Sequence, residues 1–147
     1  MKPSPSDNSK ILLVDDNRDG LLVRRSLLEE LGYCVQIASD GEEGLKLFET
    51  GGFDVVVTDF RMPRMDGREL IQGIRKLDPN ARIILLSGFM EPLGLTEQNT
   101  GADAVIAKSV HEPAHLVRSV KRLVNRGRRK PPASQSNPPI RARAANR

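Results

Sequence analysis

The chain has 147 residues, which suits one domain with a packed core and a flexible segment but is too short for two domains with separate cores. Its single cysteine excludes an internal disulfide, and no apolar run reaches the roughly 18 residues that a membrane-spanning helix requires. The net charge of +4 is unevenly distributed, because residues 125–147 contain seven basic residues and no acid, which leaves about −3 on residues 1–124.

The first residues lack the apolar stretch of a secretory signal, so we expect a cytoplasmic protein. Residues 1–8 are predicted to be a flexible N-terminus. Short apolar runs then alternate with longer segments of helical period, which is typical of repeated strand and helix units around a parallel sheet. Runs such as ILLV and IILL are continuously aliphatic, as in strands covered on both faces. The predicted strands are residues 10–14, 34–38, 54–58, 82–86 and 103–107. The pattern predicts a doubly wound α/β domain over residues 9–124.

The helix after the first strand is predicted at residues 18–31. It has an apolar face and a charged face that includes Arg24 and Arg25, and Gly32 follows as a common C-terminal stop. A later helix is predicted at residues 66–77. Asp66 is a favourable N-cap for it, and a glutamate three residues later completes a capping box. We therefore assign Asp66 to capping and not to chemistry.

The last two helices differ in their sequence support. Residues 91–100 contain Gly94 and several other poor helix formers, so this helix should be short or mobile. Residues 112–125 place aliphatic side chains on one face and basic groups on the other, as an amphipathic helix does. Residues 125–147 are basic and rich in proline, with Ile140 as their one large apolar residue, and are predicted to form a disordered tail or a linker.

Residues suited to phosphate chemistry stand at the ends of four predicted strands. The carboxyl ends of parallel strands meet at one edge of the sheet, so these side chains should converge despite their separation in sequence. Asp59 is the candidate nucleophile, because a carboxylate can attack phosphorus and hold the phosphoryl group as an acyl phosphate. The residues concerned are Asp15, Asp16, Asp59, Ser87 and Lys108.

Three carboxylates in one place would repel one another unless a cation joined them. Mg2+ suits such a site best, because it is a hard ion that accepts carboxylate oxygens, keeps several waters and takes a phosphate oxygen as a further ligand. Lys108 would supply a positive charge for the phosphoryl oxygens, and Ser87 would donate a hydroxyl hydrogen bond to the same group.

The motifs LLVDDN, VVVTDFRMPRMDG, IILLSG and GADAVIAK occur in an order and at a spacing that resemble the receiver domain of bacterial two-component response regulators. The resemblance covers residues 8 to about 124. It implies the flavodoxin-like (βα)5 fold of the chemotaxis regulators, with a five-stranded parallel sheet in the order 2-1-3-4-5 and helices on both faces. It also implies that Asp59 accepts a phosphoryl group from a phosphohistidine of a sensor histidine kinase or phosphotransfer protein.

The resemblance further assigns roles around Asp59. It implies that Asp16 and Asp59 bind Mg2+ directly, that Asp15 acts largely through water, and that the backbone carbonyl of Arg61 is another ligand. Ser87 and Lys108 would hold the phosphoryl group. The chain would then be a phosphoacceptor switch without an output domain, signalling through contacts with a downstream protein as a monomer or weak homodimer. It would not be an enzyme, apart from its own phosphorylation and slow dephosphorylation.

The chain departs from the family pattern beside this pocket. Ile106 stands where the family usually has an aromatic residue whose rotation accompanies phosphorylation, and Ser109 stands where proline usually follows the lysine in a cis peptide. Because a cis bond without proline costs about 2.5–4 kcal/mol, this bond should be trans unless packing holds it. Phe89 and Arg61 occupy positions that in this family tune the lifetime of the phosphorylated state, so the resemblance and the aromatic residue at 89 imply a long-lived one.

Two other functions compete with the phosphoacceptor switch. A phosphorylation-independent interaction module would retain the pocket, and Ile106 and Ser109 keep this alternative open. An aspartate-nucleophile hydrolase of the haloacid dehalogenase type is disfavoured, because such enzymes need an acid two residues after the nucleophile and this chain has Arg61 there. The basic tail could attract nucleic acid or an anionic membrane, but it has no aromatic residue to stack on bases and no apolar face.

Overall fold

The computed structural model describes residues 9–88 and 94–129. The predicted flexible N-terminus, Phe89, the first part of the predicted helix 91–100, and residues 130–147 of the predicted tail lie outside the described residues. The described strands are β1 (Lys10–Val14), β2 (Cys34–Ala38), β3 (Val55–Asp59), β4 (Ile83–Ser87) and β5 (Ala104–Ala107). The described helices are α1 (Arg18–Glu30), α2 (Gly41–Gly51), α3 (Gly67–Leu77), α4 (Glu97–Thr100) and α5 (Glu112–Arg129).

The five strands form one sheet in the order β2-β1-β3-β4-β5, and each neighbouring pair is parallel. This confirms the predicted doubly wound α/β fold. Side chains alternate between the two faces of each central strand, so Ile11 and Leu13 join one core cluster while Leu12 and Val14 join another. The first cluster lies under α1 and α5, and the second lies under α2 and α3. Helices on both faces explain why the central strands carry continuous aliphatic runs, such as residues 11–14 and 83–86.

Local sequence signals set several of the helix ends. The Asp66 side chain accepts a hydrogen bond from the backbone N–H of Glu69, and the Glu69 side chain accepts one from the backbone N–H of Asp66, at 2.9 Å each. This is the predicted capping box at the start of α3. Helix α4 is a single turn that ends at Gly101, whose φ is +84°, so the described part of the fourth helix is as short as its poor helix formers predict.

The starts of β3, β4, β5 and α3 and the ends of β4 and α1 each differ from the predicted boundary by one residue. Tertiary contacts explain two further differences. Strand β3 continues to Asp59, because Asp59 is still paired in register with Leu86 of β4. Helix α5 continues to Arg129, beyond the predicted end at residue 125, and Arg126 forms an ion pair of 3.2 Å with Asp103 just before β5. The predicted tail boundary at 125 therefore falls inside a helix. No helix in the described part of the chain is long and apolar enough to cross a membrane.

Candidate functional site

The candidate site lies at the carboxyl edge of the sheet, where the strand order reverses direction around β1 and β3. Asp15 and Asp16 directly follow β1, and Asp59 is the last residue of β3. The strand register places Val14 beside Thr58, so the acids that follow these residues come out at the same level of the sheet. In doubly wound folds this switch point is where ligands bind.

The three acids predicted from the sequence come together in space. One carboxylate oxygen from each of Asp15, Asp16 and Asp59 lies within 4.8 Å of the others. Asp15 and Asp59 are only 3% and 4% exposed, whereas Asp16 is exposed to solvent. Two buried carboxylates and one open carboxylate, all oxygen donors, are a set that fits a hard hydrated cation such as Mg2+.

Lys108 is the basic group of the site. It follows β5, and its backbone N–H donates to the carbonyl of Ser87 at 2.8 Å, which fixes the end of β5 against the end of β4. Its Nζ lies 2.5 Å from Oδ1 of Asp59. A single flexible ammonium therefore offsets the charge of the candidate nucleophile and lies where phosphoryl oxygens attached to that nucleophile would be.

Ser87 and Arg61 are the two remaining residues of the predicted site. Ser87 is the last residue of β4 and is half-buried, next to the strand that carries Asp59. Arg61 lies two residues after Asp59 and is exposed. The hydroxyl role of Ser87 and the carbonyl role of Arg61 stay predictions.

The loop from Asp59 to α3 is closely fixed. The backbone N–H of Phe60 donates to the carbonyl of Leu86 at 3.0 Å, and that of Gly67 donates to the carbonyl of Phe60 at 2.7 Å. A Cβ atom at Gly67 would lie only 2.5 Å from the carbonyl oxygen of Asp59. Glycine is therefore required for the close approach of α3 to the strand end that presents the candidate nucleophile.

Arg24 also contacts the site, although the helical pattern assigned it only to the charged face of α1. Its Nη1 donates to Oδ2 of Asp15 at 2.9 Å. Its Nε and Nη2 donate to the two carboxylate oxygens of Glu112, at 3.1 and 3.0 Å. Burial lowers the pKa of the Arg24 guanidinium, but the hydrogen bonds and charges of Glu112 and Asp15 raise it by more, so the net pKa lies above its ordinary value.

Gly20 is the one sequence signal that could have pointed to Arg24. It lies one helical turn before Arg24, and a Cβ atom there would be 2.9 Å from Nη1 of Arg24. Glycine is a poor residue for the interior of a helix, so its presence in α1 indicates that space is needed on that side. The guanidinium occupies that space.

The two departures from the family pattern lie on either side of Lys108. The described residues contain no cis peptide bond, so the bond between Lys108 and Ser109 is trans, as the absence of proline predicts. The hydroxyl of Ser109 accepts a hydrogen bond from the N–H of His111 at 3.1 Å, and its carbonyl accepts one from the N–H of Glu112 at 3.1 Å. Ser109 thus stabilises the turn into α5. Ile106 is buried in the core cluster under α5.

Comparison with known proteins extends these findings. A family model described as the response regulator receiver domain matches residues 11–121. A CheY-like response regulator receiver domain protein from Methanospirillum hungatei is 34% identical with a TM-score of 0.75, and the match covers 82% of this chain and 96% of that chain. The response regulator TrrA from Thermotoga maritima, solved in complex with Mg2+-BeF, is 35% identical with a TM-score of 0.70, over 78% and 98% of the two chains.

Curated relatives extend beyond the matched region. The alkaline phosphatase synthesis transcriptional regulatory protein PhoP of Bacillus subtilis is 35% identical over 132 residues, which cover 87% of this chain and 53% of that protein. Matches to other curated relatives cover 8% and 45% of their lengths. The chain therefore spans about half, or less, of these curated relatives.

Proposed function

Because this chain belongs to the response regulator receiver domain family, we propose that it is a phosphoacceptor switch in which Asp59 accepts a phosphoryl group from a histidine kinase or phosphotransfer protein. The observation that carries this proposal is the convergence of Asp15, Asp16 and Asp59 at one edge of the sheet, with the Lys108 ammonium 2.5 Å from Asp59. A nucleophile, a cation-binding set of acids and a phosphate-binding amine are the parts that the transfer requires.

The transfer itself needs few protein groups. An Asp59 carboxylate oxygen forms a bond to phosphorus while the bond from phosphorus to the donor imidazole nitrogen breaks, and the electron pair of that bond returns to the nitrogen. Lys108 then pairs with the phosphoryl oxygens in place of the carboxylate, and Ser87 donates a hydroxyl hydrogen bond to them. The negative charge of the phosphoryl oxygens would thus be paired with the positive charge of Lys108 inside the pocket.

The acidic cluster supports Mg2+ as the metal of this site. Asp16 and Asp59 would hold it directly, Asp15 would act through a bound water, and the Arg61 carbonyl would complete the protein ligands. When bound, Mg2+ supplies positive charge that offsets the repulsion among the carboxylates and the charge of the incoming phosphate.

Signalling would proceed through protein contacts, in the cytoplasm where a kinase partner is available. Phosphorylation can shift an equilibrium between two surface arrangements only by the difference in how each arrangement binds the phosphoryl group. Turnover of external phosphoesters is not part of this proposal, because Arg61 occupies the position at which hydrolases with an aspartate nucleophile carry an acid.

Intact-mass spectrometry with a small phosphodonor tests the proposal. With Mg2+ present, we expect the wild-type chain to gain one phosphate and Asp59→Asn to gain none, because the amide keeps the shape of the side chain but removes the nucleophile. Asp66→Asn is the matched control, since Asp66 lies in the same loop but only caps α3, and asparagine caps equally well. An unchanged wild-type mass would contradict the proposal.

A further inference from the structure

Arg24, Asp15 and Glu112 form a chain of charges that leads from the acidic pocket to the first turn of α5. The Arg24 side chain is 13% exposed, and those of Asp15 and Glu112 are 4% and 10% exposed. Because water reaches these groups poorly, their mutual attraction is stronger than that of surface ion pairs. The receiver function proposed above assigns no role to Arg24 or Glu112.

Asp15 is held from two sides within this chain. Its Oδ1 accepts from the backbone N–H of Asn17, and its Oδ2 accepts from Arg24, at 2.9 Å each. Gly20 leaves the guanidinium the space it needs beside Oδ2. A positive group thus lies in contact with an acid that belongs to the predicted metal site.

Glu112 is the second acid that pairs with Arg24. It takes two of the three guanidinium nitrogens in a bidentate arrangement, the geometry in which arginine and carboxylate pair most strongly. The charge of Glu112 offsets much of the charge of Arg24. Glu112 is also the first residue of α5, five residues after the end of β5.

We propose that Arg24 is a positioning residue and built-in counter-ion that competes with the metal for Asp15, and that Glu112 sets the strength of this competition. The inference rests on the proposed function, since it concerns the same metal site. In the metal-free state, Arg24 balances the acid cluster. When a divalent cation binds near Asp15, the two positive charges repel, and the guanidinium shifts its pairing toward Glu112. Because coupling is reciprocal, the state of the metal site and the anchoring of α5 then influence each other.

Two variants that each remove one charge test the proposal, because they should change the Mg2+ affinity in opposite directions. Arg24→Gln removes the competing charge, so Mg2+ should bind about fivefold more tightly, at the lower end of the range typical of coupled sites. Glu112→Gln leaves the full charge of Arg24 on Asp15, so Mg2+ should bind several-fold more weakly. Arg24→Lys keeps the charge and should restore an affinity close to that of the wild-type chain.

Arg25→Gln is the matched control. Arg25 is the next residue of α1, and its ion pair with Glu29 is exposed on both sides at 3.3 Å. The variant removes the same charge from the same helix without touching the acidic pocket. Its Mg2+ affinity should equal that of the wild-type chain.

The experiment is a Mg2+ titration of the full chain followed by NMR, with the amide of Asn17 as the probe because it donates directly to Asp15. Opposite shifts of the dissociation constant in Arg24→Gln and Glu112→Gln, with Arg25→Gln unchanged, support the proposal. Equal affinities, or weaker binding in both variants, would overturn it, since a purely structural link between α1 and α5 predicts the same direction for both.

Two further outcomes are decisive. If Arg24→Gln does not fold, Glu112→Gln and Arg24→Lys carry the test together. The proposal predicts weaker Mg2+ binding when the charge of Glu112 is removed and nearly unchanged binding when lysine keeps the charge of Arg24 but loses the bidentate pairing, whereas a purely structural link predicts weaker binding in both. If the wild-type chain itself shows no Mg2+-dependent shift, the metal part of the proposed function fails together with this inference. A wild-type chain that binds Mg2+ while both variants match it refutes the inference alone.

Discussion

At the scale of single residues, the site depends on close approaches that only particular side chains permit. Lys108 contacts Asp59, Arg24 contacts Asp15, and Gly67 lets the backbone of α3 reach the carbonyl of Asp59. Lys108 comes to Asp59 from another strand end, whereas Arg24 and Gly67 come close to their partners through the helix or loop that directly follows the strand. The geometry of the pocket therefore depends on these few close contacts.

Gly67→Ala should destabilise the fold by about 1–3 kcal/mol, the usual cost of overpacking, because the new Cβ would collide with the carbonyl oxygen of Asp59 and with the Cα of Phe60. Urea unfolding measures the change in the free energy of unfolding. Gly73→Ala in the same helix is the control, since its Cβ would meet only the flexible end of Leu45. Equal free energies of unfolding in the two variants would contradict the role given to the close approach at Gly67.

At the scale of helices and strands, α3 begins where its capping box places it. Asp66→Ala should cost about 1 kcal/mol of the free energy of unfolding, because the backbone N–H of Glu69 loses its acceptor. Asp66→Asn should keep nearly all of the stability, since asparagine is as good an N-cap. Chemical denaturation distinguishes the two, and an alanine variant as stable as the asparagine variant would contradict the capping role.

The strands and their end residues were predictable because their signals are local. Continuous aliphatic runs mark strands that are covered on both faces, and the parallel arrangement brings Asp59 and Lys108 to one edge without further information. The capping box of α3 and the short α4 also follow from nearby residues.

Other features depend on distant parts of the chain. The pattern of α1 could not show that Arg24 is buried, because Glu112 reaches it only after α5 packs beside α1. Helix α5 extends beyond its predicted end for a similar reason, since the ion pair of Arg126 with Asp103 joins the helix to the residue just before β5.

At the scale of the whole molecule, two features lead from the pocket toward α5. Ile106 is buried under α5, and as an aliphatic residue it has no polar end that could alternate between the core and solvent. Arg24 and Glu112 provide a direct electrostatic link from Asp15 to the first residue of α5. The acidic pocket and the basic helix α5 are thus connected through charge as well as through packing.

The central claim is that Asp59 carries the phosphoryl group, and reductive trapping with borohydride tests it most directly. An aspartyl phosphate is an acyl phosphate, so hydride reduces it to the alcohol, which is homoserine in the chain. After phosphorylation in Mg2+ buffer, peptide mapping should find homoserine at position 59 and unmodified aspartate at positions 15 and 16. Trapping at another residue, or a phosphate that resists borohydride and stays on Ser87, would contradict the account.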